Sequence, residues 1–208
     1  MKREDVHILR KETVFKGYFQ VDRYDLTHKT FGGAEGKPVR REVFERGHAV
    51  GVILFDPGHD AVVLIEQFRI GAHAGLEQPW FGPEQSPWLL EIVAGIIEDG
   101  ETPIDVARRE SEEEAGCRVE DLFEVMTFFA TPGASTESLI IYCGRIDSTT
   151  ADGIHGLEEE GEDIKVHVVP CEEVWRWLDS GRFTNATALV ALQWLRIHHD
   201  EVKARWGF

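Results

Sequence analysis

The sequence predicts an α+β protein with one main domain and a small N-terminal β domain. β-favouring and helical segments follow one another without the regular alternation of a doubly wound parallel sheet. The first part of the chain alternates β-favouring stretches with a polar turn. The chain of 208 residues is long enough for one large core. We therefore expect an antiparallel β domain over residues 1–46 and a main domain over residues 47–208.

The N-terminal half is predicted to consist mostly of strands. In the first domain the β-favouring stretches are residues 13–18 and 39–44, with a turn at Gly32 and Gly33. Apolar strands at 50–55 and 61–68, joined by the turn-rich connector 56–60, predict a buried hairpin. Residues 71–87 contain three prolines and three glycines, which disfavours regular structure and predicts a long surface loop. Trp80 and Phe81 within it either anchor the loop or cover a substrate or partner subunit.

The clearest helix is predicted over residues 102–115, after a strand at 88–93. Thr102 can cap this helix, Pro103 suits its first turn and Gly116 its C-terminal end. Further strands are expected at 123–130, 139–142 and 164–169. A short helix at 172–178 and a long helix at 185–203 complete the chain.

Composition excludes several classes of function. A net charge of −16 opposes broad binding to nucleic acid or to anionic membranes. No apolar run approaches the roughly 20 residues of a membrane helix, and the first residues lack the apolar region of a signal peptide, so we expect a cytoplasmic protein. The three cysteines form no C-x-x-C pair, which argues against a zinc ribbon. The excess of acidic residues is compatible with binding of a phosphate-ester substrate when divalent cations lie between the carboxylates and the phosphate.

Three carboxylates lie on one face of the predicted helix. Glu110, Glu113 and Glu114 are spaced i, i+3 and i+4, and like charges at this spacing destabilise a helix by roughly a few tenths of a kcal/mol per pair. The face is either a solvated acidic surface or a site for hard divalent cations such as Mg²⁺ or Mn²⁺.

The context of these carboxylates favours the metal site. Gly95 is followed after five residues by Glu101, and Glu101 after seven residues by the run Arg109 to Cys117. This spacing resembles the Nudix box, G-x5-E-x7-R-E-U-x-E-E-x-G-U, where U is a bulky apolar residue. Every fixed glycine, glutamate and arginine of that pattern is present. Ser111 and Cys117 occupy two positions where the pattern has bulky apolar residues. Those positions serve helix packing and do not supply metal ligands.

The resemblance implies a Nudix α/β/α sandwich with a mixed sheet, and an enzyme that hydrolyses a nucleoside diphosphate linked to another moiety. It implies two or three Mg²⁺ or Mn²⁺ ions per site. Glu110, Glu114 and the carbonyl of Ala94 would be ligands, with Glu113 a further or alternative one. Glu101 and Arg109 would form an ion pair that holds the loop and helix together, and Gly95 and Gly116 would serve backbone geometry.

Four stretches outside the box resemble bacterial ADP-ribose pyrophosphatases of this superfamily: residues 39–48, 65–69, 131–133 and 154–163. The resemblance implies that ADP-ribose is hydrolysed to AMP and ribose 5-phosphate, with a water activated by the cations attacking the pyrophosphate. It also implies a homodimer in which the N-terminal domain is swapped and contributes to the site.

The same resemblance assigns the remaining site residues. Glu162 would be a further metal ligand and Glu160 the catalytic base, with Glu113 a second contender. Glu158 and Glu159 are adjacent, so sequence leaves the choice of base open, and this acidic segment alone would equally suit a flexible solvated loop. The alternative to substrate binding for an arginine in a strand is a surface position where it forms an ion pair with an acidic side chain. The substrate-binding positions are Tyr18, Arg41, Arg46, Arg69, Thr131 and Glu137.

Three other functions remain open from the sequence. The first is a pyrophosphatase for GDP-mannose or another nucleotide sugar. The second is a nucleoside triphosphatase, although such enzymes are typically shorter and lack the N-terminal domain. The third is a non-catalytic nucleotide-binding sensor, although such proteins usually lose the glutamates that this chain retains.

Overall fold

The structure is a computed structural model that describes the backbone of residues 1–208 and every side chain except that of Glu160. The chain divides into two compact units, Met1–His48 with Phe128–Leu139, and Ala49–Thr127 with Ile140–Phe208. The strands are β1 (Val6–Lys16), β2 (Gln20–His28), β3 (Val39–Glu45), β4 (Ala49–Asp56), β5 (Ala61–Phe68), β6 (Trp88–Glu91), β7 (Val93–Ile96), β8 (Asp121–Phe129), β9 (Ser138–Arg145), β10 (Ile154–His155) and β11 (Ile164–Pro170). The helices are α1 (Ile70–Gly75), α2 (Pro103–Ala115), α3 (Cys171–Ser180) and α4 (Ala186–Arg205).

The first unit is a three-stranded antiparallel sheet in the order β1-β2-β3. Phe44 in β3 exchanges backbone hydrogen bonds with the segment 128–139, donating to Ala134 O at 2.8 Å and accepting from Thr136 N at 3.1 Å. The β1 strand is almost wholly exposed along its length. This unit therefore contributes little buried core of its own.

The second unit contains an eight-stranded mixed sheet with helices on both faces. Its path is β10-β11-β5-β4-β9-β8, with β6 paired to β5 and β7 to β4. Every residue of β4 after Ala49 is buried, and alternate side chains point to opposite faces. Val50 and Val52 pack in the cluster that contains Val106 of α2. Phe55 instead lies 5.6 Å from the His199 ring of α4, measured between ring centroids. The predicted α+β class and α/β/α sandwich are confirmed.

Two local predictions within the second unit were wrong. The 88–93 segment is not one strand, because the chain changes partner within it: β6 pairs with β5, and β7 pairs with β4. Residues 71–75, which we expected to belong to an irregular loop, lie instead in the short helix α1. The first proline of that segment is Pro79, so nothing before it removes a helical hydrogen bond. The 102–115 helix is confirmed, and none of the helices in the described chain is long and apolar enough to cross a membrane.

Candidate active site

Local sequence signals fix the ends of the helix that carries the carboxylates. The Thr102 side chain accepts a hydrogen bond from Asp105 N at 3.4 Å, and Pro103 occupies the first turn. Gly116 ends the helix at φ 62°, a left-handed conformation that favours glycine. Ser111 is buried, and its hydroxyl donates to Ala107 O at 2.6 Å, so the helix itself satisfies this polar group. The core-facing side of α2 is thereby fixed.

Glu110 lies directly against Gly95 of β7. A Cβ placed on Gly95 would be 1.8 Å from Glu110 Oε1 and 2.1 Å from its carboxyl carbon. Any larger residue at position 95 would therefore displace this carboxylate. Burial is the main cause of the raised pKa of Glu110, opposed by the neighbouring Arg109. Gly95 forms a cradle for the carboxylate.

Glu114 is the most buried carboxylate of the helix face, with 3% of its surface exposed. Its Oε2 accepts a hydrogen bond from Ala94 N at 2.9 Å. Burial raises the pKa of Glu114 to about 8, and the nearby Glu110 and Glu162 carboxylates act in the same direction, while the Ala94 hydrogen bond and Arg69 oppose them. Without a counter-ion, this site is unfavourable for a charged carboxylate.

Arg109 links the beginning of the box to its carboxylates. Its Nε and Nη2 donate to the two oxygens of Glu101 at 2.9 and 3.2 Å. Its Nη1 donates to Glu110 Oε1 at 2.8 Å and to Glu113 Oε2 at 2.9 Å. The structure thus places Glu101 beside Arg109 in a two-point ion pair, and the same guanidinium also offsets part of the negative charge of Glu110 and Glu113.

The acidic segment 154–163 is tied to the same helix. Gly156 N donates to Glu113 O at 3.1 Å, and Leu157 N donates to Glu162 Oε2 at 3.0 Å. Glu162 is close enough to Glu110 and Glu114 to contribute to the raised pKa of each carboxyl group. The side chain of Glu160, our predicted base, lies outside the described residues. Glu162 therefore belongs to the carboxylate cluster, while Glu160 stays a prediction.

Arg69 is held by Glu91, a residue that the sequence did not single out. Its Nε and Nη2 donate to Glu91 Oε2 at 3.1 and 2.7 Å, and the Glu91 side chain is 4% exposed. Asn185 Nδ2 donates to the other oxygen, Glu91 Oε1, at 2.8 Å. Asn185 Oδ1 in turn accepts from Ala188 N and caps α4. The signal that could have identified Glu91 is that it is the one acidic residue in the otherwise apolar run 88–96.

Arg69 faces the carboxylate cluster. Burial acts to lower its pKa, but the negative charges of Glu91, Glu114 and Glu162 outweigh this effect and raise it. The guanidinium is thus charged and lies within electrostatic range of two candidate metal ligands. A fixed cationic donor beside clustered carboxylates is suited to an anionic group bridged by metal ions.

The other predicted substrate-binding residues lie in the first unit. The Arg46 guanidinium lies over the Phe19 ring at 5.3 Å, and its Nε is 3.9 Å from Glu137 Oε1. Tyr18 packs edge-on against Phe19 at 4.8 Å and is mostly exposed, in the turn that follows β1 and not in a strand as predicted.

Arg41 and Thr131 complete this set within the first unit. Arg41 is exposed, and its Nη1 donates to Arg40 O. Thr131 O accepts from Ser135 N. Within this unit, the structure brings Arg46 and Glu137 together next to the aromatic pair formed by Tyr18 and Phe19.

The carboxylates of α2, together with Glu162, fit a hard divalent cation. Oxygen ligands from carboxylates are those that Mg²⁺ and Mn²⁺ prefer. The Gly95 cradle positions Glu110, and the burial of Glu114 calls for positive charge nearby. Glu110, Glu114 and Glu162 are the residues that would hold it, with Glu113 partly engaged by Arg109. A carboxylate cluster around the buried Glu114, with a charged arginine nearby, is suited to metal-bridged phosphate groups.

Comparison with known proteins shows the family of the chain. Residues 45–191 match the NUDIX domain, and this chain belongs to that family. It is 48% identical over 205 residues to the ADP-ribose pyrophosphatase of Escherichia coli (strain K12), covering 99% of this chain and 94% of that protein. It is 29% identical over 197 residues to the GDP-mannose pyrophosphatase of Enterobacter sp. (strain 638), covering 92% and 95%.

The fold has a counterpart among solved structures. A crystal structure described as an ADP compounds hydrolase superposes with a TM-score of 0.69 and 22% identity, covering 95% of this chain and 96% of that one. At this identity the comparison supports the fold alone.

Proposed function

We propose that this protein hydrolyses the pyrophosphate bond of ADP-ribose, releasing AMP and ribose 5-phosphate, with Mg²⁺ as the physiological cation. The observation that carries the reaction class is the placement of Glu110 over Gly95 beside the buried Glu114. The substrate follows from the relatives, because the chain is far more similar to an ADP-ribose pyrophosphatase than to a GDP-mannose pyrophosphatase, over almost the same length.

The second unit supplies the groups that would hold the pyrophosphate. Glu110, Glu114 and Glu162 would bind the cations, with the carbonyl of Ala94 as a further ligand. When bound, divalent cations neutralise charge that develops on phosphate oxygens and lower the pKa of coordinated water. Arg69 has Nη1 outside its contact with Glu91, and this nitrogen can donate to a phosphate oxygen. Glu91 restricts the guanidinium to one orientation.

Two carboxylates are candidates for the catalytic base. Glu160 follows Glu158 and Glu159 in a short 3-10 turn that ends at Gly161, with φ 71° at that glycine. Glu113 lies on the box helix, where one of its oxygens accepts from Arg109 at 2.9 Å. Because that contact occupies Glu113, we favour Glu160. Replacing each glutamate by glutamine and comparing kcat under saturating Mg²⁺ distinguishes them, since only the base should lower kcat without weakening Mg²⁺ affinity.

We further propose that residues 1–46 form a domain that is swapped in a homodimer, with Tyr18, Arg41, Arg46, Thr131 and Glu137 binding the nucleoside and ribose parts of the substrate. The exposed apolar side chains of β1 support an interface, because Ile8, Leu9, Val14 and Phe15 are all exposed. Light scattering coupled to size exclusion tests the dimer. A monomer at micromolar concentration would contradict it.

A substrate panel tests the activity directly. ADP-ribose, GDP-mannose, NADH and nucleoside triphosphates are incubated with the protein and Mg²⁺, and the products are identified by mass. We expect ADP-ribose to have the highest kcat/KM and to yield AMP and ribose 5-phosphate. Glu114→Gln serves as the matched inactive control. A clear preference for GDP-mannose would replace the proposed substrate, and the absence of turnover with binding of ADP-ribose would indicate a nucleotide sensor.

A further inference from the structure

Three side chains with different ligand atoms converge away from the carboxylate face of α2. They are Asp60, immediately before β5, Cys171, at the start of α3, and His199 in α4. One ligand atom from each lies within 4.8 Å of the other two. Asp60 and Cys171 are close together because they flank the last residue pair between β5 and β11. Pro170 is paired with Ala61, and Cys171 N donates to Asp60 O at 2.8 Å.

We propose that Asp60, Cys171 and His199 form a second metal site, selective for Zn²⁺ or a similar thiophilic divalent cation. Thiolate, imidazole and carboxylate are the three protein ligands that Zn²⁺ takes, at about 2.0–2.3 Å in a tetrahedral arrangement. That geometry separates neighbouring ligand atoms by roughly 3.3–3.8 Å. Each separation between the three atoms, at most 4.8 Å, therefore needs to change by no more than about 1.5 Å, and the fourth position is open to water beside the half-exposed Asp60.

The orientation of the His199 ring supports metal binding. Its Nε2 donates a hydrogen bond to Asp60 Oδ1 at 2.7 Å, whereas its Nδ1 lies 3.4 Å from Asp200 Oδ1 without forming a hydrogen bond. A cation would replace the proton on Nε2, and a small movement of the exposed Asp200 side chain would then let Nδ1–H donate to its carboxylate, as the second ring N–H of a histidine ligand commonly does. The ring is also packed between Phe55, at 5.6 Å, and Trp175, at 5.9 Å between centroids. Its direction is thus determined before any cation binds.

Lys203 is the group with which the cation must compete. Its Nζ lies 3.2 Å from Asp60 Oδ1, so the ammonium currently neutralises that carboxylate. The lysine side chain is 27% exposed and long enough to turn its ammonium towards water. A zinc ion, one thiolate and one carboxylate together carry no net charge, so the cation can take over the role of Lys203. Removing this lysine should strengthen metal binding.

Cys171 gives the site its selectivity. Its side chain is buried, and burial raises the pKa of its thiol to about 12, with the Asp60 charge adding to the effect. The metal-free thiol therefore keeps its proton, and binding of Zn²⁺ must release it. Hard cations such as Mg²⁺ avoid sulfur, so the ion proposed for the carboxylates of α2 should not compete here. The bound ion would cross-link the β4–β5 turn to both C-terminal helices.

Cobalt spectroscopy tests this site in the full-length protein, because Co²⁺ bound to a thiolate has an intense charge-transfer absorption that carboxylate sites lack. Titration with Co²⁺ should produce this band, and Zn²⁺ should abolish it. Cys171→Ala and His199→Gln should each lose the band, whereas Cys143→Ala, which removes another buried free cysteine, should retain it. Circular dichroism and ADP-ribose turnover in Mg²⁺ establish that each variant is folded.

Two further variants distinguish a specific metal site from incidental binding of the cation. Lys203→Met should raise Co²⁺ affinity, and Asp200→Asn should lower it by about 10-fold, the cost of losing a carboxylate behind a histidine ligand. No thiolate band at millimolar Co²⁺ would overturn the proposal. A band that persists in folded Cys171→Ala would overturn it equally, since another cysteine would then be the ligand.

Discussion

Glu91 holds Arg69 through two hydrogen bonds to one carboxylate oxygen, from Nε at 3.1 Å and from Nη2 at 2.7 Å. The second oxygen of Glu91 accepts from Asn185, which caps α4, so the arginine is connected through one buried carboxylate to the start of the C-terminal helix. The Arg69 side chain itself is 43% exposed and can reach a ligand. Its position is therefore determined by the core, while its Nη1 takes no part in the contact with Glu91.

We expect Glu91→Gln to lower kcat/KM for ADP-ribose by roughly 10- to 100-fold, because a misplaced positioning group costs about that much. Part of the effect should be a higher KM, since Arg69 would bind phosphate less well. Glu66→Gln is the matched control. It removes another carboxylate that is held by a hydrogen bond, from His167 Nε2 at 2.9 Å, and should leave kinetics unchanged.

A double-mutant cycle shows whether Glu91 acts through Arg69. In an Arg69→Lys background, Glu91→Gln should have little further effect on kcat/KM, because the geometry that it maintains is already lost. Fully additive losses would mean that Glu91 only stabilises the fold. Thermal unfolding of the same four proteins separates stability from catalysis.

Gly95→Ala should inactivate the enzyme by at least about 100-fold, because the new Cβ cannot coexist with Glu110 Oε1 at 1.8 Å and the carboxylate must move. Gly71→Ala is a matched control. Gly71 lies in α1 with no atom within 4 Å of an added Cβ, so this change should leave kcat/KM unaltered. Steady-state rates in Mg²⁺ measure both variants. Normal activity of Gly95→Ala would show that Glu110 is not needed in its present place.

The sequence could predict features that depend on residues near one another along the chain, but not those that depend on distant residues. The α2 helix was predictable because Thr102, Pro103 and Gly116 act within a few residues of it. The split between β6 and β7 was not, because the change of partner from β5 to β4 is decided by tertiary pairing. The contact between Glu91 and Asn185 joins residues 94 positions apart, and no local pattern encodes such a pair.

Glu114→Gln should abolish hydrolysis, with a loss of several orders of magnitude in kcat, because a neutral amide is a poor ligand for a hard cation. The fold should persist, since glutamine removes a buried charge that the metal-free protein does not favour.

Thermal unfolding gives an independent readout of the same residue. Mg²⁺ should raise the Tm of the wild-type protein by several degrees, because a ligand that binds only the folded state stabilises it. The shift should be much smaller in Glu114→Gln. Equal Mg²⁺ shifts in both proteins would remove Glu114 from the metal site.

The ionisation of Asp56 should make the free energy of unfolding depend on pH under acidic conditions. Its carboxylate accepts hydrogen bonds from Ser148 N and Oγ at 2.9 and 2.7 Å, and from His59 Nδ1 at 2.8 Å. Burial acts to raise the pKa of Asp56, but these bonds outweigh it and lower the pKa to about 2. A depressed folded-state pKa stabilises the protein fully above the unfolded pKa near 4, and this contribution disappears as the pH falls towards 2.

Replacing Asp56 therefore gives a pH-dependent loss of stability. Asp56→Asn should lower the free energy of unfolding by about 2 kcal/mol at pH 7, and the deficit relative to wild type should shrink between pH 4 and pH 2, where wild-type Asp56 becomes protonated. Asp152→Asn, at an exposed position, should change little at either pH. Urea unfolding at pH 7, 4 and 2.5 measures these differences. A deficit that stays constant across this range would mean that the Asp56 charge contributes nothing, and that the variant loses stability only through altered hydrogen bonding.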